Sequence, residues 1–196
     1  MRHSPKIEKS LKRCPWPGQD DNLMLAYHDK EWGKPVRDDQ KIFEFLVLEA
    51  FQAGLSWRII LHKRDNFKKA FKNFDYHKVA RFTPQDRARL VRDAGIVRNR
   101  AKIAATIQNA RLFMEVQKEF GTFSKYMWKW VKGSPIRHRL KTIKDYPVVI
   151  SEAEAWAKDL KKRGFKFLGP TVLYAHMQAV GMVNDHIVTC FRHRQV

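Results

Sequence analysis

Cysteine is scarce in this chain: there are two among 196 residues, Cys14 and Cys190. Two thiols at opposite ends cannot form a disulfide framework, and at most they staple the termini. The start, Met1-Arg2-His3-Ser4-Pro5-Lys6, is charged and lacks an apolar core segment, so secretion and a disulfide are disfavoured. No window approaches the ~18 continuous apolar residues of a membrane span. The expectation is a soluble, cytoplasmic protein with no membrane partner. Sheet-forming stretches are also missing, because Val148-Val149-Ile150 is the only run of three Val or Ile residues. There is no internal repeat and no low-complexity tract.

Acid is the other shortage. Against 39 Lys+Arg stand 20 Asp+Glu, for a formal charge of +19. That exceeds what solubility needs and makes a polyanion the natural partner. Basic residues recur along the whole chain, without an isolated amphipathic anchor or polybasic tail, which favours nucleic-acid phosphate over a membrane surface. A solvated charged surface is the alternative.

A hydrophobic content of 44% can fill a real core. Residues 1–13, rich in Arg and Lys, read as a flexible basic extension; 14–196 read as one domain, with two helical lobes as an option. Helical punctuation dominates. Thr83-Pro84-Gln85-Asp86 offers an N-cap, a first-turn proline and an acid, and Ser151-Glu152-Ala153-Glu154 fits a capping box. Ile103, Ile107, Ala110 and Met114 mark one face of a long helix over about 98–119. Shorter helices are predicted at about 40–53, 57–63, 65–73, 84–92, 122–132, 152–163 and 171–181. The fold class is all-α.

Three constellations carry chemistry. Cys14 with His28 and His186 with Cys190 make a four-ligand set for one zinc ion, a closed tetrahedral shell and hence a structural site. Ordinary thiols with satisfied histidines are the alternative. On a helix, His186 and Cys190 would share a face. Second, Ile42, Phe45, Leu46, Glu49 and Ala53 fall on one helical stripe, which turns the Glu49 carboxylate inward. A buried acid needs either a structural ion-pair partner or a function. Trp57 follows closely and suits the wall of a pocket for a flat, hydrogen-bonding ligand such as a purine; Tyr27, Trp32 and Trp16 offer further walls or simply core. Third, Leu90 to Arg100 places Gly95 in a tight turn between two helical patterns, with Ile96 to pack it and Arg98 and Arg100 nearby. It looks like a helix-hairpin-helix, in which turn amides grip a DNA phosphate.

Taken together, these segments resemble the bacterial DNA-3-methyladenine glycosylase I family over about residues 13–192. The carrying stretches are Arg13-Cys14-Pro15-Trp16, Ala26-Tyr27-His28-Asp29-Lys30-Glu31-Trp32-Gly33, Leu48-Glu49 with Gln52-Ala53-Gly54-Leu55-Ser56-Trp57, Asp93-Ala94-Gly95-Ile96, Lys161-Lys162-Arg163-Gly164-Phe165-Lys166-Phe167 and Val183-Asn184-Asp185-His186.

The resemblance implies the helix-hairpin-helix glycosylase fold with a terminal zinc clamp on Cys14, His28, His186 and Cys190. It further implies that Glu49 hydrogen-bonds an excised base, that Trp57 stacks on it, that Tyr27 lines the pocket, and that Leu55 beside Gly54 plugs the gap left in the duplex. The expected substrate is double-stranded DNA with alkylated bases. The expected enzyme is a monomer with no obligate protein partner that hydrolyses the glycosidic bond of 3-methyladenine and leaves an abasic site. Met24 stands where the family has a second pocket tyrosine and Phe51 where it has a glutamine, and the Cys14–His28 interval is one residue longer. A zinc-stabilised DNA-binding module without catalysis is the rival; a zinc hydrolase or deaminase would need an open metal position that four protein ligands deny.

Overall fold

The computed structural model describes residue 8 and residues 10–196. Most of the expected basic extension lies outside the described residues. Its last part is tied to the body: the Phe191 N–H donates to the Lys12 carbonyl, and the Arg13 guanidinium pairs with Asp29 at 2.7 Å.

Among the described residues the elements are nine α-helices and two very short strands. Helix α1 (Asn22–Lys30) starts where the Asp21 carboxylate accepts the Leu23 and Met24 amides. Too short for a sustained apolar period, it escapes a sequence reading. α2 (Asp39–Gln52) is apolar on nearly all sides and buried from Ile42 to Phe51. That pattern marks a helix inside the core rather than on its surface. α3 (Trp57–Ala70) is one helix where two were expected, because the charged run at Lys63-Arg64-Asp65 contains no breaker. It stops at three residues with positive φ, Lys72, Asn73 and Phe74.

The four-residue α4 (Tyr76–Val79) leads to α5 (Pro84–Arg92), whose Thr83–Asp86 capping box is present as the sequence suggests. A turn over 93–99 connects to α6 (Arg100–Phe120), where the Asn99 side chain caps the Lys102 amide. α7 (Phe123–Trp128) is followed by a 3-10 turn. α8 (Ser151–Lys162) begins one residue earlier than expected. Ile150 holds the cap position, so Ser151 does not form the expected box, and its hydroxyl donates to Glu152 instead. α9 (Pro170–Ala179) opens with proline in its first turn, where the missing N–H costs nothing.

The all-helical expectation needs one amendment. β1 (Ile136–Arg137) pairs in parallel with β2 (Val183–Asn184), Ile136 opposite Val183. Two residues per strand leave no readable alternation, and only the fold brings them together. After β2 the chain does not turn helical: His186 lies in irregular backbone and Cys190 at a bend after a turn.

α2 packs against α3, α6, α7 and α9 and so forms the axis of the molecule. Among the described residues no helix is long and apolar enough to cross a membrane. At its first turn, Asp39 accepts the backbone N–H groups of Phe123 and Ser124 at 2.8 Å each and the Gln117 amide at 2.6 Å, docking the start of α7 onto α2. Asp39→Ala therefore orphans these donors, and urea titration is expected to show a loss of about 2 kcal/mol.

Candidate active site

Two carboxylates of α2 are buried, and they live differently. Glu44 accepts from Arg64 at 2.7 Å and Lys41 at 3.0 Å. Glu49 is 4% exposed and its Oε2 finds no partner among the described residues. Burial without a counter-charge pushes its pKa up to about 8, so the free protein holds it protonated at neutral pH. An acid in this state is stored electrostatic potential: a cation brought beside it would recover the charge that burial suppresses.

A cavity of about 200 Å³ opens onto that acid. Trp16, Tyr27, Trp32 and Trp57 form its walls. The Tyr27 and Trp57 rings lie 5.1 Å apart at 45°, and Trp16 meets Trp32 edge-on at 5.0 Å. The indole nitrogens of Trp16 and Trp57 are buried without partners, as Glu49 Oε2 is. Apolar faces with a few convergent polar groups characterise a ligand site rather than a sealed core. The sequence-predicted acid and all four aromatics thus converge on one cavity.

Gln52, Ile143, Tyr146, Ala175 and Gln178 also line it and were missed. Gln52 stands three positions after Glu49 on one helix face, which is a usable signal. The others arrive from loops and from α9. Met24 and Phe51, the two departures from the family pattern, do not line the cavity. Met24 is buried outside it, and Phe51 packs 4.8 Å from the Phe67 ring.

A larger groove of about 1090 Å³ lies across Tyr27. Of the acids that line it, Glu31 and Glu44 pair with Arg64 and Lys41, and Asp21 pairs with Arg58 and hydrogen-bonds His62. Charge there is already neutralised locally, so size does not make it the site.

Behind the aromatic walls, Cys14, His28, His186 and Cys190 form a buried cluster whose ligating atoms lie within 4.8 Å of one another, an arrangement able to hold a metal ion. Cys14 Sγ and Cys190 Sγ are each 3.5 Å from His186 Nδ1, and Cys190 Sγ is 3.5 Å from His28 Nε2. Both thiols are unbridged. Each histidine is oriented through its other nitrogen: His28 Nδ1 to Asp29 at 2.9 Å, His186 Nε2 to the Trp32 carbonyl at 3.1 Å. This is the outer support that metal-binding imidazoles require. The contact with Cys14, then those with His186 and His28, draw the Cys190 thiol far down, while Cys14 beside it is driven up. One charge excludes the second unless a cation joins them.

The remaining candidates lie around α6. Gly54 has φ 84°, and Leu55 behind it is 38% exposed. Lys102 Nζ donates to the Phe51 carbonyl at 3.0 Å and the Ala53 carbonyl at 2.6 Å, fixing the end of α2 and this loop onto α6. In the turn, a β-carbon at Gly95 would crowd the side chains of Asp93, whose Oδ1 lies at 2.9 Å, and Asn66 at 3.1 Å, so the close approach favours glycine. Its amide is not free, as expected from sequence, but donates to Asp93 Oδ1 at 2.8 Å; a short acidic side chain two residues back reaches it first. Ile96 is buried and packs the turn, and Arg98 and Arg100 are exposed.

Comparison with known proteins places these features in company. Residues 16–193 match the family model described as methyladenine glycosylase. The DNA-3-methyladenine glycosylase 1 of Escherichia coli (strain K12) is 46% identical over 180 residues, covering 92% of this chain and 96% of the relative. A crystal structure of a 3-methyladenine DNA glycosylase I superposes with TM-score 0.89 at 43% identity, covering 92% of this chain and 98% of the other. The enzyme from Staphylococcus aureus, from a structural study of 3-methyladenine recognition, superposes with TM-score 0.88 at 36% identity, covering 93% and 96%.

Removing one thiolate from the buried cluster leaves one thiolate and two imidazoles as donors. Cys190→Ser is expected to lose bound metal and melt several degrees lower, checked by metal analysis and calorimetry on the same preparation; an equally stable variant would show that the cluster holds nothing structural.

Proposed function

The chain belongs to the methyladenine glycosylase family, and from that premise we propose that it releases 3-methyladenine from alkylated DNA as a base-excision repair N-glycosylase. The observation that carries the reading is the buried Glu49, its Oε2 unpartnered, in an aromatic cavity of about 200 Å³. Methylation at N3 places positive charge on adenine in DNA. That charge makes the base a good leaving group and gives the buried carboxyl a reason to ionise. Neutral adenine supplies no such charge, so the acid discriminates before any bond breaks.

The damaged nucleotide leaves the stack and enters the cavity. The walls of Trp16, Tyr27, Trp32 and Trp57 take its faces, and Glu49, giving up its proton to solvent, accepts a hydrogen bond from a ring or exocyclic N–H. When the bond between the sugar C1′ and the base nitrogen breaks, the electron pair passes to the base and cancels its charge. Water adds hydroxide to C1′, its proton goes to solvent, and an abasic site remains. The now neutral base no longer sustains the Glu49 anion, which favours its release. Hydrolysis without a covalent adduct fits the cavity, since none of its lining residues is a lysine and Lys102 is engaged with the Phe51 and Ala53 carbonyls.

Around this centre, the 93–99 turn between α5 and α6 acts as the helix-hairpin-helix. Gly95 sets the turn, Ile96 anchors it, and Arg98 and Arg100 meet phosphate. Gly54 and Leu55 enter the duplex where the base has left. In the buried cluster, zinc suits two thiolates and two imidazoles. Sulfur and nitrogen bonded tetrahedrally to one zinc ion lie about 3.5 Å apart, the separation of the three sulfur–nitrogen contacts here. With all positions filled, its chemistry is to clamp the chain ends.

Glu49→Gln keeps the shape and removes the charge. Because Glu49 ionises near pH 8 in the free protein, wild-type kcat/KM on methylated duplex is expected to rise with pH and level off above about 8. The variant should lose roughly a hundredfold or more in rate, show a flat profile, and retain duplex binding. Since the raised pKa makes the wild type less stable as pH climbs from the ordinary carboxylate range through about 8, the variant should also melt no lower at pH 8. Unchanged base release with an unchanged pH profile would remove Glu49 from the mechanism.

A further inference from the structure

Between α8 and α9 the chain turns one aromatic ring outward. Phe165 and Leu168 are 5% and 6% exposed and anchor the segment, whereas Phe167 between them is 41% exposed. The Phe167 backbone sits at φ 58°, in the left-handed region that a residue with a bulky side chain avoids. Neighbours hold it there. Asn109 of α6 donates to the Lys166 carbonyl and accepts the Lys166 N–H, each at 2.9 Å, and Gln108 donates to the Gly164 carbonyl at 2.8 Å. Glycine would adopt this conformation without opposition, so the local fold does not call for the ring. Strain held in place by its surroundings is a mark of a working position.

Two independent relations put Phe167 at the end of the molecule where Leu55 emerges. First, α2 and α9 run antiparallel: Gly33 and Val36, just before α2, donate to the carbonyls of Gln178 and Val180 at the end of α9, at 2.9 and 3.0 Å. The start of α9, and Phe167 three residues ahead of it, therefore lies toward the end of α2 and the 53–56 loop. Second, one face of α6 holds both segments. Lys102 grips the Phe51 and Ala53 carbonyls, and Asn109, seven residues on, grips Lys166. Those two grips are about 10 Å apart along the helix axis. Arg98 and Arg100 stand at the head of the same helix.

We propose that Phe167 is a second apolar probe of the duplex, packing on a base face beside the displaced nucleotide while Leu55 fills the vacated position. This rests on the DNA glycosylase reading above. Extruding a nucleotide unstacks the neighbouring step and bends the duplex, which exposes a base face to an aromatic ring. A preset outward conformation means that little ordering remains to be done on binding. Exposed Lys166 beside it suits the adjoining phosphate.

The test uses the full chain and a duplex carrying a tetrahydrofuran abasic analogue, with 2-aminopurine placed in turn opposite the gap and at each flanking step. Phe167→Gly relieves the left-handed backbone, so its melting temperature should equal or exceed that of the wild type. Its duplex affinity is expected to fall about tenfold, with loss of 2-aminopurine quenching at one position. Free 3-methyladenine should bind as before, and Phe167→Trp should restore both affinity and quenching. Equal duplex affinity and equal fluorescence in Phe167→Gly and wild type overturn the proposal, as does lost affinity that tracks a lowered melting temperature. The glycosylase reading fails separately, if the wild type releases no 3-methyladenine from methylated duplex.

Discussion

The buried Cys14–His28–His186–Cys190 cluster joins the two ends of the chain, and the aromatic cavity depends on that closure. Trp16 follows Cys14 by two positions, Tyr27 immediately precedes His28, and the Trp32 carbonyl and ring both meet His186, the ring at a centroid distance of 4.6 Å. Three of the four aromatic walls are thus carried on the stretch from Cys14 to Trp32, with Tyr27 on α1 and Trp16 and Trp32 on either side of it. Holding that segment by its ligating side chains, and its histidines by Asp29 and Trp32, places the walls opposite α2 without a larger domain behind them.

What faces those walls is an unpaired acid, and tolerating it takes an apolar helix buried on nearly every side. A carboxyl this deep in a chain with 39 Lys+Arg could have been neutralised by a neighbour, as Glu44 is by Arg64. Glu49 is instead left without one, and burial pushes its pKa up to about 8. The basic side chains lie mostly on the exterior, and the interior acid has none beside it. Lys102 couples the two levels, because the same side chain that fixes the end of the acid's helix belongs to the helix behind the hairpin turn.

Much of this was legible in the residues. The inward direction of Glu49 follows from a stripe of apolar positions at helical spacing, the Thr83 cap and the α5 boundaries from local rules, and the four metal-binding candidates from the closeness of each cysteine to a histidine and from the family resemblance. Elsewhere local rules misled. Ser151 looks like a cap, yet the chain before it is already extended and Ile150 takes the position. Gly95 was expected to offer a free amide, and Asp93 occupies it. His186 and Cys190 share no helix face; a bend brings their atoms together. Met24 and Phe51 differ from the family pattern but lie outside the cavity, so the differences fall on packing rather than on its lining.

The sequence by itself determined the helical class and several helix boundaries, the basic composition, the inward acid and the donor set, because each is written in short-range periodicity or in residue chemistry. Tertiary structure alone decided that Ile143, Tyr146, Ala175 and Gln178 complete the cavity, that β1 meets β2, and that α6 holds the Leu55 loop and the Phe167 segment on one face. These are contacts between positions tens to well over a hundred residues apart. No local pattern encodes them, since they arise only when burying one apolar core fixes the relative placement of every helix.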